Sequence, residues 1–277
     1  MNKRIPILIA SASLLVAVGG VFVALLAPGG SGQPIPNFVD SGDDATLGEK
    51  LLDDYKARFD AHLESGRPFI DAFFSEIRLV DFATVGIEPE FVLADLGCGV
   101  GTLPLALLAQ DIPFKKVYAL DVNTYSLDFL RYALEKGISP KSGRVFPKRS
   151  KYTDIGLQDD IVDILFIVEV PAIYYSLTMT GHYQDDAEAF ARMERLFATI
   201  RKAVKVDGEL HFIYPTQTPT SGDLDPAALV EAMSRVGFRL VQQSTVALQV
   251  ENYYFIFAQS ESTKSDRSVR TPGAVAY

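Results

Sequence analysis

Val92-Leu-Ala-Asp95-Leu-Gly97-Cys98-Gly99-Val-Gly101-Thr102 is the stretch on which the fold turns. A short apolar run ends in an acid, a turn with three glycines follows, and Thr102–Ala109 then has the composition of a buried helix. Glycine enters left-handed backbone regions at little cost and lets the main chain come close to a ligand. A helix start adds N–H groups that have no partner inside the helix. In an open α/β sheet such a turn lies at the carboxyl edge of the strands, where ligands bind. A dinucleotide site would show Gly-x-Gly-x-x-Gly. Here the third glycine, Gly101, arrives one place early. Asp95, two residues before the first glycine, would repel a pyrophosphate and suits a ligand that carries an ammonium group.

Outward from this motif the pattern alternates. Phe91–Leu96, Lys116–Leu120, Ile161–Val168 and Glu209–Tyr214 read as buried strands, and Thr102–Ala109, Ser126–Lys136, Asp185–Val204 and Pro226–Val236 as helices. Ser126 is a candidate N-cap and Gly137 a candidate stop. Phe238–Val246 and Asn252–Gln259 follow with no helix between them and read as an antiparallel hairpin. The expectation is an α/β fold, a Rossmann-like doubly wound sheet, mostly parallel, with a C-terminal antiparallel hairpin strand. Ahead of it, Thr46–Glu64 and Pro68–Phe82 have helical rhythm and would cap the carboxyl edge of the sheet. The folded domain is expected over 46–260, with a polar, disordered tail over 261–277.

Composition narrows the classes. The chain has 277 residues, 48% hydrophobic and 22% charged, which excludes wholesale disorder. Its net charge of −9 argues against a generally basic nucleic-acid binder, so no nucleic acid is expected as a partner. One cysteine excludes an intrachain disulfide and a cysteine-rich zinc site, and the three histidines (His62, His182, His211) have no metal-ligand spacing.

Asp95-Leu-Gly-Cys-Gly-x-Gly-Thr closely resembles the first motif of class I S-adenosylmethionine-dependent methyltransferases. Other landmarks fall in the order and spacing of that family. Val117-Tyr-Ala-Leu-Asp121-Val122-Asn123 is a strand that ends in an acid 20 residues past Gly101. Asp159–Phe166 resembles the fourth strand with its lead-in, and Leu196–Leu210 the helix and glycine turn before the fifth. The resemblance covers about Phe91 to Gln259. It implies S-adenosylmethionine as cofactor, bound by Asp95, Gly97, Cys98, Gly99, Gly101, Asp121, Val122 and Asn123. Asp121 takes the ribose hydroxyls, since a carboxylate accepts two hydrogen bonds from a vicinal diol. The chain departs from the family before the fourth strand. Ser150-Lys151-Tyr152 stands where many members carry Gly-Asp-Ala, and Asp154 is the substitute for the adenine contact.

Glu169, at the end of the fourth strand, and His182, in the loop after it, are the candidates for a catalytic base. Lys141, Arg144, Lys148, Arg149 and Lys151 form a basic cluster that would meet an anionic substrate, lipid headgroups or only water. The implied reaction is methyl transfer to a small-molecule or lipid-like acceptor. The competing reading is a non-catalytic, membrane-tethered domain that keeps the fold for binding or scaffolding.

Ile5–Ala27 is 23 residues without a charge, long enough as a helix to cross a bilayer core. It reads as a single-pass anchor over 1–27, followed by a Gly/Pro/Ser/Asp linker over 28–45. A cleaved signal peptide has the same basic start, but its apolar run is shorter. Lys3 and Arg4 before the run, against Asp40, Asp43 and Asp44 after it, favour an external domain, whereas the cofactor favours the cytoplasm.

Overall fold

The structure is a computed structural model. It describes residues 42–65, 86–151, 153–170, 173–174, 187–218, 222–223, 225–247 and 251–260. The apolar run, most of the linker, the helix expected over Pro68–Phe82 and the tail lie outside these residues. No helix among the described residues is long and apolar enough to cross a membrane.

Seven strands form one sheet: β1 (Val92–Leu96), β2 (Lys116–Asp121), β3 (Val145–Arg149), β4 (Val162–Val168), β5 (Val204–Pro215), β6 (Phe238–Ala247) and β7 (Glu251–Gln259). Their order is β3-β2-β1-β4-β5-β7-β6. The first five are parallel, and β7 runs antiparallel to both β5 and β6. The expected Rossmann-like sheet with an antiparallel terminal hairpin is therefore present. β3 is an addition. Val-Phe-Pro-Lys-Arg is short, charged and interrupted by proline, and such a sequence is confined to a sheet edge.

Among the described residues five α-helices accompany the sheet: α1 (Gly42–Glu64), α2 (Thr102–Ala109), α3 (Thr124–Glu135), α4 (Ala187–Ala203) and α5 (Pro226–Arg235). They cover both faces. Leu93, Val117, Ala119, Ile164 and Phe166 face a core that includes Phe59 of α1, Leu105 of α2 and Leu130 of α3. Ala94, Leu96, Leu165, Leu210 and Phe212 face the other core, with Phe197 of α4 and Leu229 of α5. α2 is buried from Leu103 to Leu108, as an all-apolar helix must be.

The helix ends differ from expectation in two places. Asn123, not Ser126, caps α3, accepting from Tyr125 N–H at 2.9 Å and Ser126 N–H at 3.3 Å. Gly137 does stop it, with φ +69°. α1 begins at Gly42, inside the stretch read as linker, and lies on α3. Phe59 meets Phe129 edge-on, and Asp60 binds Lys136 at 2.8 Å.

The chain leaves β1 for β2 and β3 on one side, then returns to β4 on the other. That reversal opens a crevice between the carboxyl ends of β1 and β4, the place where an open α/β sheet takes its ligand.

Candidate functional site

The glycine turn after β1 lies at this reversal point. Gly97, Gly99 and Gly101 have φ of +79°, +53° and +86°. Side chains at two of them would collide with the protein: a Cβ on Gly97 would come 2.5 Å from Val170 Cγ2, and one on Gly101 would come 2.5 Å from Leu130 Cδ1. At Gly99 a Cβ would meet nothing within 4 Å. The outer glycines are therefore wedged into the protein, and Gly99 alone faces open space.

Backbone hydrogen bonds hold the turn. Gly97 N–H and Cys98 N–H both donate to the Leu120 carbonyl, at 2.8 and 3.0 Å, and Gly101 N–H donates to the Cys98 carbonyl at 2.9 Å. Asp121 completes the hold. Its Oδ2 accepts from Gly99 N–H at 2.8 Å and its Oδ1 from Asn123 N–H at 2.8 Å. The residue read as the ribose acceptor thus also shapes the glycine turn. Burial raises the Asp121 pKa, and the backbone N–H groups of Asn123, Gly99 and Val122 act against that rise.

Asp95 differs sharply. Only 3% of it is exposed. It shares a sheet face with Asp121, because Asp95 pairs with Ala119 and strand residues two apart point the same way. Among the described residues no donor reaches its carboxylate. Burial first, and the neighbouring Asp121 charge second, push its pKa up to about 8. A buried carboxylate without a partner is costly, and a cation brought by a ligand would remove the cost.

The other residues singled out in the sequence sort as follows. Cys98 is buried, and burial with the two acids beside it raises its thiol pKa, which removes it as a nucleophile. Val122 and Asn123 follow Asp121, where Asn123 serves as the helix cap. Glu169 lies across the crevice at the end of β4, exposed at the rim, with φ +50°. Its N–H donates to the Ile213 carbonyl at 2.9 Å, and the protein packed around it raises its carboxyl pKa. Asp154 lies beyond β3 in an exposed turn, where its Oδ1 accepts from Gly156 N–H at 2.7 Å. His182 is outside the described residues. His211 is buried in the sheet between Glu209, at 2.8 Å, and the Tyr254 hydroxyl, at 2.7 Å.

The basic cluster is largely occupied with its own chain. Lys141 pairs with Asp111 at 2.6 Å, Arg144 donates to the Phe114 carbonyl at 3.0 Å, and Lys148 donates to the Gly156 carbonyl. Tyr214 is a residue that sequence reading missed. Its hydroxyl donates to the Val170 carbonyl at 2.5 Å and accepts from Tyr174 N–H at 3.1 Å. It thereby fixes Val170, the side chain wedged against Gly97. Nothing in an apolar strand run marks its last tyrosine for this task.

No family model and no curated protein matches the chain. Solved structures of similar shape include a SAM-dependent methyltransferase from Methanosarcina mazei, with 13% identity over 66% of this chain and 99% of that one, at a TM-score of 0.49. Others are the glycopeptide N-methyltransferase MtfA complexed with S-adenosyl-L-methionine (16%, 65% and 92%, 0.49) and a TehB-like SAM-dependent methyltransferase from Corynebacterium glutamicum (15%, 76% and 100%, 0.48). Similarity at this level assigns no chemistry to the chain, which has to be read from its own residues.

Proposed function

We propose that the chain is an S-adenosylmethionine-dependent methyltransferase acting on a small-molecule or lipid-like acceptor. The observation that carries this reading is Asp95, a buried acid that no donor among the described residues reaches, set before a glycine turn and beside Asp121. The donor set matches the ligand's charges. Asp95 suits an α-ammonium group, the Asp121 carboxylate suits a ribose hydroxyl, and the open side of Gly99 leaves room for main-chain approach. A dinucleotide would bring phosphates against two acids, so the same residues disfavour it.

S-adenosylmethionine bound there would supply an electrophilic methyl group on a sulfonium. Methyl transfer needs alignment of the acceptor and exclusion of water more than acid–base help. The wedges of Val170 on Gly97 and Leu130 on Gly101 keep the turn rigid. Glu169 stands across the crevice, and its raised pKa suits it to hold the proton that an acceptor hydroxyl or amine gives up. Ile5–Ala27 would tether the domain to a membrane and keep it close to apolar acceptors.

Calorimetric titration of the full chain in detergent with S-adenosylhomocysteine and, separately, with NAD tests the site. Binding of the first alone, strongly weakened by Asp95→Asn and by Asp121→Ala, is the expected result. A folded chain that binds neither ligand would overturn the methyltransferase reading and leave the scaffold in its place. Binding without transfer to any acceptor in a broad screen would favour the non-catalytic domain.

A further inference from the structure

The two edges of the sheet are built differently. β3, at one edge, has five residues, including Pro147, which has no N–H to offer, and the exposed Lys148 and Arg149. Arg131 from α3 also reaches the Pro147 carbonyl, at 3.5 Å. Short length, proline and charge are the usual guards of a sheet edge.

β6, at the other edge, has ten residues, and no described strand pairs with its outer side. Between Arg239 and Glu251 the sequence has no charged residue, in a chain where charged residues make up 22%. A bulge at Val241 interrupts the pairing with β7, and Val241 is 50% exposed. Beyond it Gln242–Ala247 pairs with β7 without further interruption. Gln242, Gln243 and Thr245 are exposed. The run is strand-forming and neutral, and it carries neither the proline nor the lysine that protects the opposite edge.

We propose that β6 is a homodimer edge, on which the same strand of a second copy pairs antiparallel about a two-fold axis and makes one continuous sheet across the two chains. The self-match follows from the sequence. A two-fold axis perpendicular to the sheet sets a residue in the middle of the run opposite its own copy. With Ser244 there, Gln243 faces Thr245 and Gln242 faces Val246, so no like charges meet and amides and hydroxyls can bond across the seam. A chain of net charge −9 is repelled by its own copy, and a strand without charge adds nothing to that repulsion. α5 lies against β6 on one face and would flank the seam in both copies. The inference is independent of the methyltransferase reading.

The test uses the full chain in detergent and exploits its single native cysteine, the buried Cys98. Gln243→Cys, Ser244→Cys and Thr245→Cys are each oxidised with copper phenanthroline, with Lys148→Cys on the β3 edge as control. The expected result is a disulfide-linked dimer with a maximum at one of the three β6 positions, about tenfold above the control, the factor that 1.4 kcal/mol makes. Sedimentation velocity should show a wild-type dimer that Ser244→Lys converts to a monomer that still unfolds cooperatively, because like charges would then face each other, and the melting temperature should rise with protein concentration for the wild type but not for the variant. Equal cross-linking on both edges would overturn the proposal, as would a dimer that survives Ser244→Lys. A monomeric wild type would also overturn it. If the Gln242–Ala247 amides of that monomer resist hydrogen exchange, the edge is covered by the chain's own remaining residues instead.

Discussion

Asp95 and Asp163 are carboxylates on neighbouring strands of one sheet, near opposite ends, and they are treated in opposite ways. Asp163, near the start of β4, accepts from Val92 N–H at 2.7 Å and from Lys205 Nζ at 2.6 Å. Both of its oxygens are used, and it ties β1, β4 and β5 together where the strands begin. Asp95, near the end of β1, is more deeply buried and has no donor among the described residues. Folding gains from the first and loses from the second. A buried group that costs stability and is left without a partner is one that a ligand has to satisfy.

The largest expected effects are at Asp95. Asp95→Asn should lower S-adenosylhomocysteine affinity by about a hundredfold, since charge-assisted pairing in a buried site contributes on the order of 3 kcal/mol. The same change should stabilise the ligand-free chain. The Asp95 pKa is raised on folding, so its contribution to stability is fully present below the ordinary carboxylate pKa and is lost as pH rises toward about 8. Wild type should therefore lose stability across that window by this route, and Asp95→Asn should not. Ligand affinity should move the other way. An ammonium needs the carboxylate, so wild-type affinity should rise about tenfold per pH unit below 8 and then level off. Calorimetry at several pH values in buffers of different ionisation enthalpy would measure the proton released. Affinity that does not depend on pH would remove Asp95 from the ligand contact.

Asp163→Ala is the counterpart. It leaves Val92 N–H and Lys205 without their acceptor and should cost about 2–3 kcal/mol of stability. The affinity for S-adenosylhomocysteine measured at a temperature where the variant is folded should be unchanged within about twofold, a difference of some 0.4 kcal/mol. Loss of affinity without loss of stability would reverse the roles of the two acids.

The three glycines divide in the same way. Gly101→Ala should destabilise by about 1–3 kcal/mol, because the new Cβ meets Leu130 and the backbone is left-handed. Gly99→Ala has open space and a milder φ, and should cost only about 1 kcal/mol of stability. Its effect should appear as weaker binding, since the methyl would stand where the ligand approaches.

Much of this was legible in the sequence, and the rest was hidden for physical reasons. The β1 motif located the crevice, because glycine and acid at that spacing have few other uses. The alternation of apolar runs located five of the seven strands to within a few residues, and β5 only in part. β3 was hidden because an edge strand is guarded by the residues that make it look like a loop. The contrast between Asp95 and Asp163 was invisible, because whether a carboxylate has donors depends on strands far apart in sequence. The second role of Asp121 was hidden for the same reason: its partner Gly99 N–H comes from the neighbouring strand's turn. The helix cap fell to Asn123 rather than Ser126 because the helix already starts at Thr124, three residues after the strand's acid, which leaves Ser126 inside its first turn.

Glu169 gives the smallest effect and the one that ties strain to use. A glutamate at φ +50° costs about 1 kcal/mol relative to a residue suited to that region. Glycine or asparagine would sit there with less strain, and among the described residues no donor bonds the exposed side chain. Glu169→Asn should therefore raise the melting temperature by about 2–4 °C. It should also leave S-adenosylhomocysteine affinity unchanged if the residue serves the acceptor and not the cofactor. If the stabilised variant transfers methyl as well as wild type once an acceptor is found, the carboxylate has no part in the reaction. If transfer falls while cofactor binding holds, the strained backbone is the cost of aiming a carboxylate with a raised pKa across the crevice. Glu169 would then belong with Asp95 among the residues that lower stability for the sake of the site.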